Sequence, residues 1–200
     1  MPHRVLSLEA VPLLLLGLLT LTRIAPPACA GDRPGAETIP LEHIRVDDGD
    51  SVQIVGADGV EEVRLLGIDC PEIQHLQHDL PFDQPFGREA TAFLQGCLAM
   101  ATKAELRRSG QTDPFGRTLA YLVLDGRNVS VLLLAAGRAM GTVTRYGDNG
   151  MPEEAAACLA AAAKAPPLPF EDPREFRRRQ KALAARMKAD GTYPVVPAGR

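Results

Sequence analysis

The sequence has no excess of positive charge, no paired-cysteine motif and no apolar run long enough to cross a bilayer. Lysine and arginine number 22 against 25 aspartates and glutamates, a formal net charge of −3. A general positive field of the kind that holds nucleic acid non-specifically is therefore excluded. The charge is also uneven: residues 165–200 carry eight basic and four acidic side chains, whereas residues 31–164 carry twelve and twenty. An acidic body with a basic tail meets phosphate only locally, through placed arginines or a metal ion.

Four cysteines are present, Cys29, Cys70, Cys97 and Cys158, with no CxxC and no Cys/His spacing of a zinc site. The apolar stretch Ala10–Leu21 spans about 12 residues, against the roughly 20 that a bilayer requires. It follows a short positive start, Met1–Arg4, and precedes the small-residue run "ACA" at 28–30. That order reads as a secretory signal over residues 1–30, cut near Ala30, and predicts an exported protein, periplasmic or secreted. Contact with a membrane is expected only if the signal stays uncleaved. Cys29 lacks the upstream leucine of a lipid-attachment signal. Its loss with the signal leaves three cysteines, so at most one internal bridge forms. Cys97 with Cys158 is the candidate pair, and free buried thiols are the alternative.

What is there supports one domain: 200 residues, 46% hydrophobic, with no internal repeat. Residues 31–43 read as a flexible Pro/Gly leader. From Ile44 the pattern alternates, with "SVQIV", the turn "GADG" at 56–59 and "VEEVRLL" forming a hairpin. Ile73–Pro85 is a polar loop. Phe86–Ala101 places Ala90, Phe93, Leu94, Cys97 and Leu98 at helical spacing. Strands follow at Lys103–Arg107 and Thr118–Leu124, then a short helix capped by Ser130 and stopped by Gly137. Later helices are expected at Pro152–Lys164 and Pro173–Ala189, the latter opened by Asp172 and Pro173 and ended before Gly191. Short strands around one helix predict a mainly β fold with α (α+β): a five-stranded oligonucleotide-binding barrel with about three to four helices.

Three charged clusters stand out: "DDGDS" at 47–51, Arg64 with Asp69 and Glu72 in "VRLLGIDCPE", and "TDPFGR" at 112–117. Taken singly, each reads as an ordinary turn or strand end. The first is not an EF-hand, because Val52 stands where a further oxygen ligand is needed. Together they offer carboxylates for a hard cation, a spare carboxylate and two guanidinium groups whose forks match phosphate oxygens. Hydrolysis of a phosphodiester uses that set. His75 and His78 with Asp79 read as a polar loop, and "RRRQK" at 177–181 as a solvated helix face.

"DGDS", "VRLLGIDCPE", "PFGREATAFL", "DPFGRTLAYLVLDG" and "LLLAAG", in that order and with similar gaps, resemble the staphylococcal nuclease (thermonuclease) family. The resemblance covers about residues 44–146 and implies a nuclease core there, with an insertion at 147–171 and a C-terminal helix and basic tail at 172–200. It implies that Asp50 and Asp69 bind Ca²⁺ together with the backbone carbonyl of Cys70. Glu72 is then the general base, and Arg64 and Arg117 hold the phosphate and stabilise its developing charge. The expected activity is calcium-dependent hydrolysis of DNA and RNA, breaking the 5′ P–O bond and leaving 3′-phosphate ends, by a monomer without a stable protein partner. A non-catalytic nucleic-acid-binding module is the alternative. Two departures concern substrate contacts. Pro114 and Phe115 replace the Lys-Tyr of the family's best-known member, and Tyr146 is left as the one stacking platform after Gly137.

Overall fold

The computed structural model describes residues 35–194, and the expected signal, its cleavage site and the last six residues lie outside the described residues. Nine strands and five α-helices follow one another in the described chain. The first strands are β1 (Ala36–Ile39), β2 (Ile44–Val46), β3 (Ser51–Gly56), β4 (Gly59–Leu65) and β5 (Ile68–Asp69). Helix α1 (Gly87–Met100) leads to β6 (Ala104–Thr112), β7 (Thr118–Leu124) and β8 (Arg127–Asn128). Helix α2 (Val129–Ala135), β9 (Met140–Gly141), α3 (Val143–Tyr146), α4 (Pro152–Ala162) and α5 (Pro173–Ala189) complete the order.

The main sheet runs β1-β6-β7-β4-β3-β2, with β8 added to β7 and β5 paired separately with β9. β1 and β2 stand at opposite ends of that path, yet only residues 40–43 separate them in the chain. The two behave as one strand bent at Pro40, pairing with β6 through its first half and with β3 through its second. Counted this way the sheet is the expected five-stranded barrel, within a mixed α+β fold that has one helix more than expected, the four-residue α3.

The leader over residues 31–43 gives way to an ordered strand from Ala36, because Ile39 is buried in the core and the backbone of β1 covers the edge that β6 would otherwise leave open. The cap of α2 also differs: Asn128, not Ser130, caps the helix, its side chain accepting the Ser130 N–H at 2.9 Å. The Ser130 hydroxyl is instead buried and donates to the Leu66 carbonyl at 2.8 Å, tying α2 to the end of β4.

The core gathers Val52, Val63, Leu65, Leu106 and Leu122 from the sheet with Leu94 of α1 and Leu133 of α2. Residues of α4, expected within an insertion, join it through the fully buried Cys158. Cys70, Cys97 and Cys158 are free thiols, so the Cys97–Cys158 bridge does not form. Cys158 is committed elsewhere: it packs so closely under Gly67 that a Cβ there would sit 2.9 Å from its sulfur. Burial first of all pushes its thiol up to about 11. Helix α5 has the expected bounds, opened by Asp172, which accepts the Arg174 N–H at 2.9 Å. Among the described residues no helix is long and apolar enough to cross a membrane.

Candidate functional site

Strand β4 delivers the first charge. Arg64 faces Ser51 across the β3–β4 ladder, so its side chain emerges beside the turn that ends in Asp50. That turn is held by Asp48, whose carboxylate accepts the Asp50 N–H at 2.9 Å, and by the Leu65 N–H donating to the Asp50 carbonyl at 2.8 Å. The chain then bends at Gly67 into β5, which ends in Asp69. Asp50 and Asp69 are both buried, and one guanidinium lies between them: Arg64 Nη1 pairs with Asp50 Oδ1, and Nη2 with Asp69 Oδ1 at 2.8 Å. The same guanidinium donates to the carbonyls of Asp50 and Ile68, at 3.4 and 3.3 Å. Arg64 is therefore fixed by backbone as well as by charge.

Cys70 is placed by its backbone, its N–H donating to Asp50 Oδ2. Burial pushes its thiol well above the ordinary value. Pro71 then carries the chain to Glu72, whose backbone is gripped from both sides by the buried Gln84. The Glu72 N–H donates to Gln84 Oε1 at 3.2 Å, and the Gln84 N–H donates to the Glu72 carbonyl at 2.8 Å. Gly87 is required beside them, because a Cβ at that position would lie 2.2 Å from the Glu72 oxygen.

Burial raises the Glu72 carboxyl above its usual range, against the nearby charge of Arg177. Arg177 is the residue that sequence reasoning missed. It lies on α5, where the basic run at 177–181 was expected to face solvent. Instead its guanidinium grips Asp69 with both terminal nitrogens, at 3.0 and 2.9 Å, and reaches Glu72 Oε1 with one of them. Burial works against that charge, but hydrogen bonding and attraction from Asp69, then Glu72, outweigh it and raise its pKa. A signal was present: Arg177 falls four residues after Pro173 and seven before Ala184, both buried, and so shares their helix face. Arg178 and Arg179 fall outside it and are exposed.

Arg117 stands one step from this centre. It lies after the turn that links β6 and β7, and its guanidinium pairs with Asp113 at 2.7 Å while donating to the Ser51 hydroxyl at 3.2 Å. Ser51 in turn contacts Asp50 Oδ1 at 3.5 Å. The Phe115 ring lies under the Arg117 guanidinium at 5.7 Å and is 78% exposed, and Tyr146 at the end of α3 is 59% exposed. Both rings are open to a planar partner.

Asp50 and Asp69 thus meet at Arg64, with Cys70 tied to Asp50, Glu72 joined to Asp69 through Arg177, and Arg117 reaching them through Ser51. The donor set suits a hard cation. Asp50 and Asp69 aim carboxylate oxygens at a single guanidinium, so their oxygens already converge on one positive group. A second acidic group lies next to it: Asp47, Asp48 and His75 bring possible ligand atoms within 4.8 Å of one another. His75 Nε2 is buried without a hydrogen-bond partner, 3.9 Å from Asp48 Oδ2, and its ring stacks on His78 at 5.6 Å.

Comparison with known proteins adds to this picture. Residues 62–166 match the family model described as staphylococcal nuclease homologue. The thermonuclease of Staphylococcus intermedius is 38% identical over 97 residues, which cover 48% of this chain and 55% of that protein. The thermonuclease of Staphylococcus hyicus is 41% identical over 83 residues, 40% of this chain and 46% of its own length. Endonuclease YncB of Bacillus subtilis is 29% identical over 96 residues, 48% of this chain and 44% of that protein. The chain spans about half the length of the curated relatives it matches.

Proposed function

The chain belongs to the staphylococcal nuclease homologue family, and from that premise we propose that it is a Ca²⁺-dependent nuclease hydrolysing phosphodiester bonds of DNA and RNA. The observation that carries the reading is the convergence of Asp50, Asp69 and Glu72, all largely shielded from water, around two guanidinium groups.

In this reading Asp50, Asp69 and the Cys70 carbonyl would hold a calcium ion, which would supply positive charge beside a phosphate oxygen. Glu72 receives a proton from the attacking water as the new O–P bond forms. The bond to the 5′ oxygen breaks, and that oxygen takes a proton from solvent. Burial serves Glu72 here, since a carboxylate raised above its ordinary value is a stronger base. Arg64 and Arg117 provide donors for the phosphate oxygens as negative charge builds on them. Gln84 keeps the Glu72 backbone from drifting, which matters because a base displaced by about 1 Å loses on the order of 10²-fold in rate. Phe115 and Tyr146 offer exposed rings to bases.

The test is cleavage of single-stranded DNA and of RNA by the wild type and by Glu72→Gln, with Ca²⁺ and with chelator. Cutting that needs Ca²⁺ and is lost in the variant supports the assignment. A folded wild type that binds these polymers without cutting them, under any divalent metal, points to the non-catalytic module. The reading extends to export, supported by the apolar run and the "ACA" site at 28–30. Protein recovered from cells then begins at Gly31, whereas a start at Met1 refutes it.

A further inference from the structure

The two guanidinium groups of the site are held in different ways. Arg64 is a strand residue 16% exposed, and it donates to two backbone carbonyls as well as to Asp50 and Asp69. Arg177 comes from a helix more than a hundred residues further along the chain, and its partners at the site are the carboxylates of Asp69 and Glu72. Its side chain is 30% exposed, so a path to solvent is open. The helix does not depend on that side chain for its seat. Phe176 is buried beside it, Asp172 caps the helix and binds Arg145 at 3.0 Å, and Gln84 Nε2 donates to the Glu171 carbonyl at 2.9 Å.

We propose that Arg177 is a built-in counter-ion that holds the metal-free site together by occupying Asp69 and Glu72, and that a divalent cation must displace it. Occupancy argues for exchange over addition. Arg177 takes both carboxylate oxygens of Asp69 and Oε1 of Glu72, so a cation that needs an Asp69 oxygen meets the guanidinium already there. Displacement also frees Glu72, whose Oε1 Arg177 otherwise engages. The released guanidinium remains on α5 beside the site, within reach of its mouth.

The inference rests on the proposed calcium chemistry, and its test separates the two. Ca²⁺ binding to the full chain is measured by titration calorimetry without nucleic acid, for the wild type, Arg177→Gln, Arg177→Lys and Asp69→Asn, with thermal unfolding of each in the presence and absence of Ca²⁺. Arg177→Gln is expected to bind Ca²⁺ at least tenfold tighter than the wild type, with Arg177→Lys in between. Its metal-free melting temperature falls, and the gap between metal-free and Ca²⁺-loaded forms widens. Asp69→Asn abolishes the binding. Equal or weaker Ca²⁺ affinity in Arg177→Gln overturns the counter-ion role and leaves the proposed function standing. If Arg177→Gln does not fold, the Arg177→Lys titration decides by the same criterion. Undiminished binding in Asp69→Asn puts the ion elsewhere, at Asp47, Asp48 and His75 for example, and overturns it too. No Ca²⁺ binding by any folded variant overturns the calcium chemistry and this inference together.

Discussion

Strand β4 carries two arginine–carboxylate networks three residues apart, and they behave in opposite ways. Near its start, Glu61 receives a forked pair of hydrogen bonds from Arg108 of β6, at 3.0 and 2.7 Å, and a third from Thr118 of β7 at 2.8 Å, while Arg108 also reaches Glu37 of β1. Near its end, Arg64 joins Asp50 and Asp69, and Asp69 and Glu72 engage Arg177. Each network has one carboxylate more than it has arginines. In the first, the side chains are 30 to 57% exposed and water screens the excess. Hydrogen bonding to Arg108 wins there, and the Glu61 carboxyl is held below its ordinary value. In the second, Asp69 is 3% exposed and Glu72 12%, and burial wins, raising Glu72 even with Arg177 in contact. The same residue types make a seam between strands where water reaches them and a site with an appetite for cations where it does not.

The comparison breaks most visibly at its arginines. Arg64→Ala strips Asp50 and Asp69 of a shared partner in a dry setting, and unfolding by denaturant should show a loss of about 3–5 kcal/mol. A loss below about 1 kcal/mol would mean that the inner network is as well solvated as the outer one. Glu72→Gln should lower turnover by about 10²- to 10⁴-fold in a cleavage assay. Because it removes the unbalanced negative charge, the metal-free melting temperature should hold or rise. Glu61→Gln should do the reverse, leaving turnover alone and lowering the melting temperature. Arg108→Ala, at the seam, should cost no more than about 1 kcal/mol by the same denaturant assay. The smallest effect is one of pH. The Glu61 carboxyl is depressed in the folded state, so its contribution is complete above the unfolded value near 4.5 and is lost as pH falls through the folded value. The difference in melting temperature between the wild type and Glu61→Gln should therefore shrink between pH 7 and about pH 3; a constant difference would show that packing, not charge, links Glu61 to Arg108.

Much of the fold was legible from local patterns. The hairpin over 51–65 and helix α5 fall where alternation, turn residues and caps put them, because each signal lies within a few residues of the element it marks. The outer boundaries were harder. Ala36–Ile39 carries Pro and Gly close by and reads as leader, yet the open edge of β6 makes it a strand. Asn128 and Ser130 both qualify as caps, and only the distant carbonyl of Leu66 decides that Ser130 is spent elsewhere. Cys97 and Cys158 count as a possible pair until Gly67 is seen to claim Cys158.

By itself the sequence determined the elements and the kind of chemistry: Arg64, Asp69 and Glu72 sit on one strand, bend and loop, and their types announce charge that needs a partner. Which partner it would be was settled only by tertiary structure. Arg177 lies 108 residues from Asp69 and 105 from Glu72, on a run of three arginines that composition cannot tell apart. Helical phase selects one of them for the inner face, and the packing of α5 against the barrel turns that face toward the carboxylates. Local propensity acts over a few residues, whereas burial of charge is decided by everything that excludes water around it.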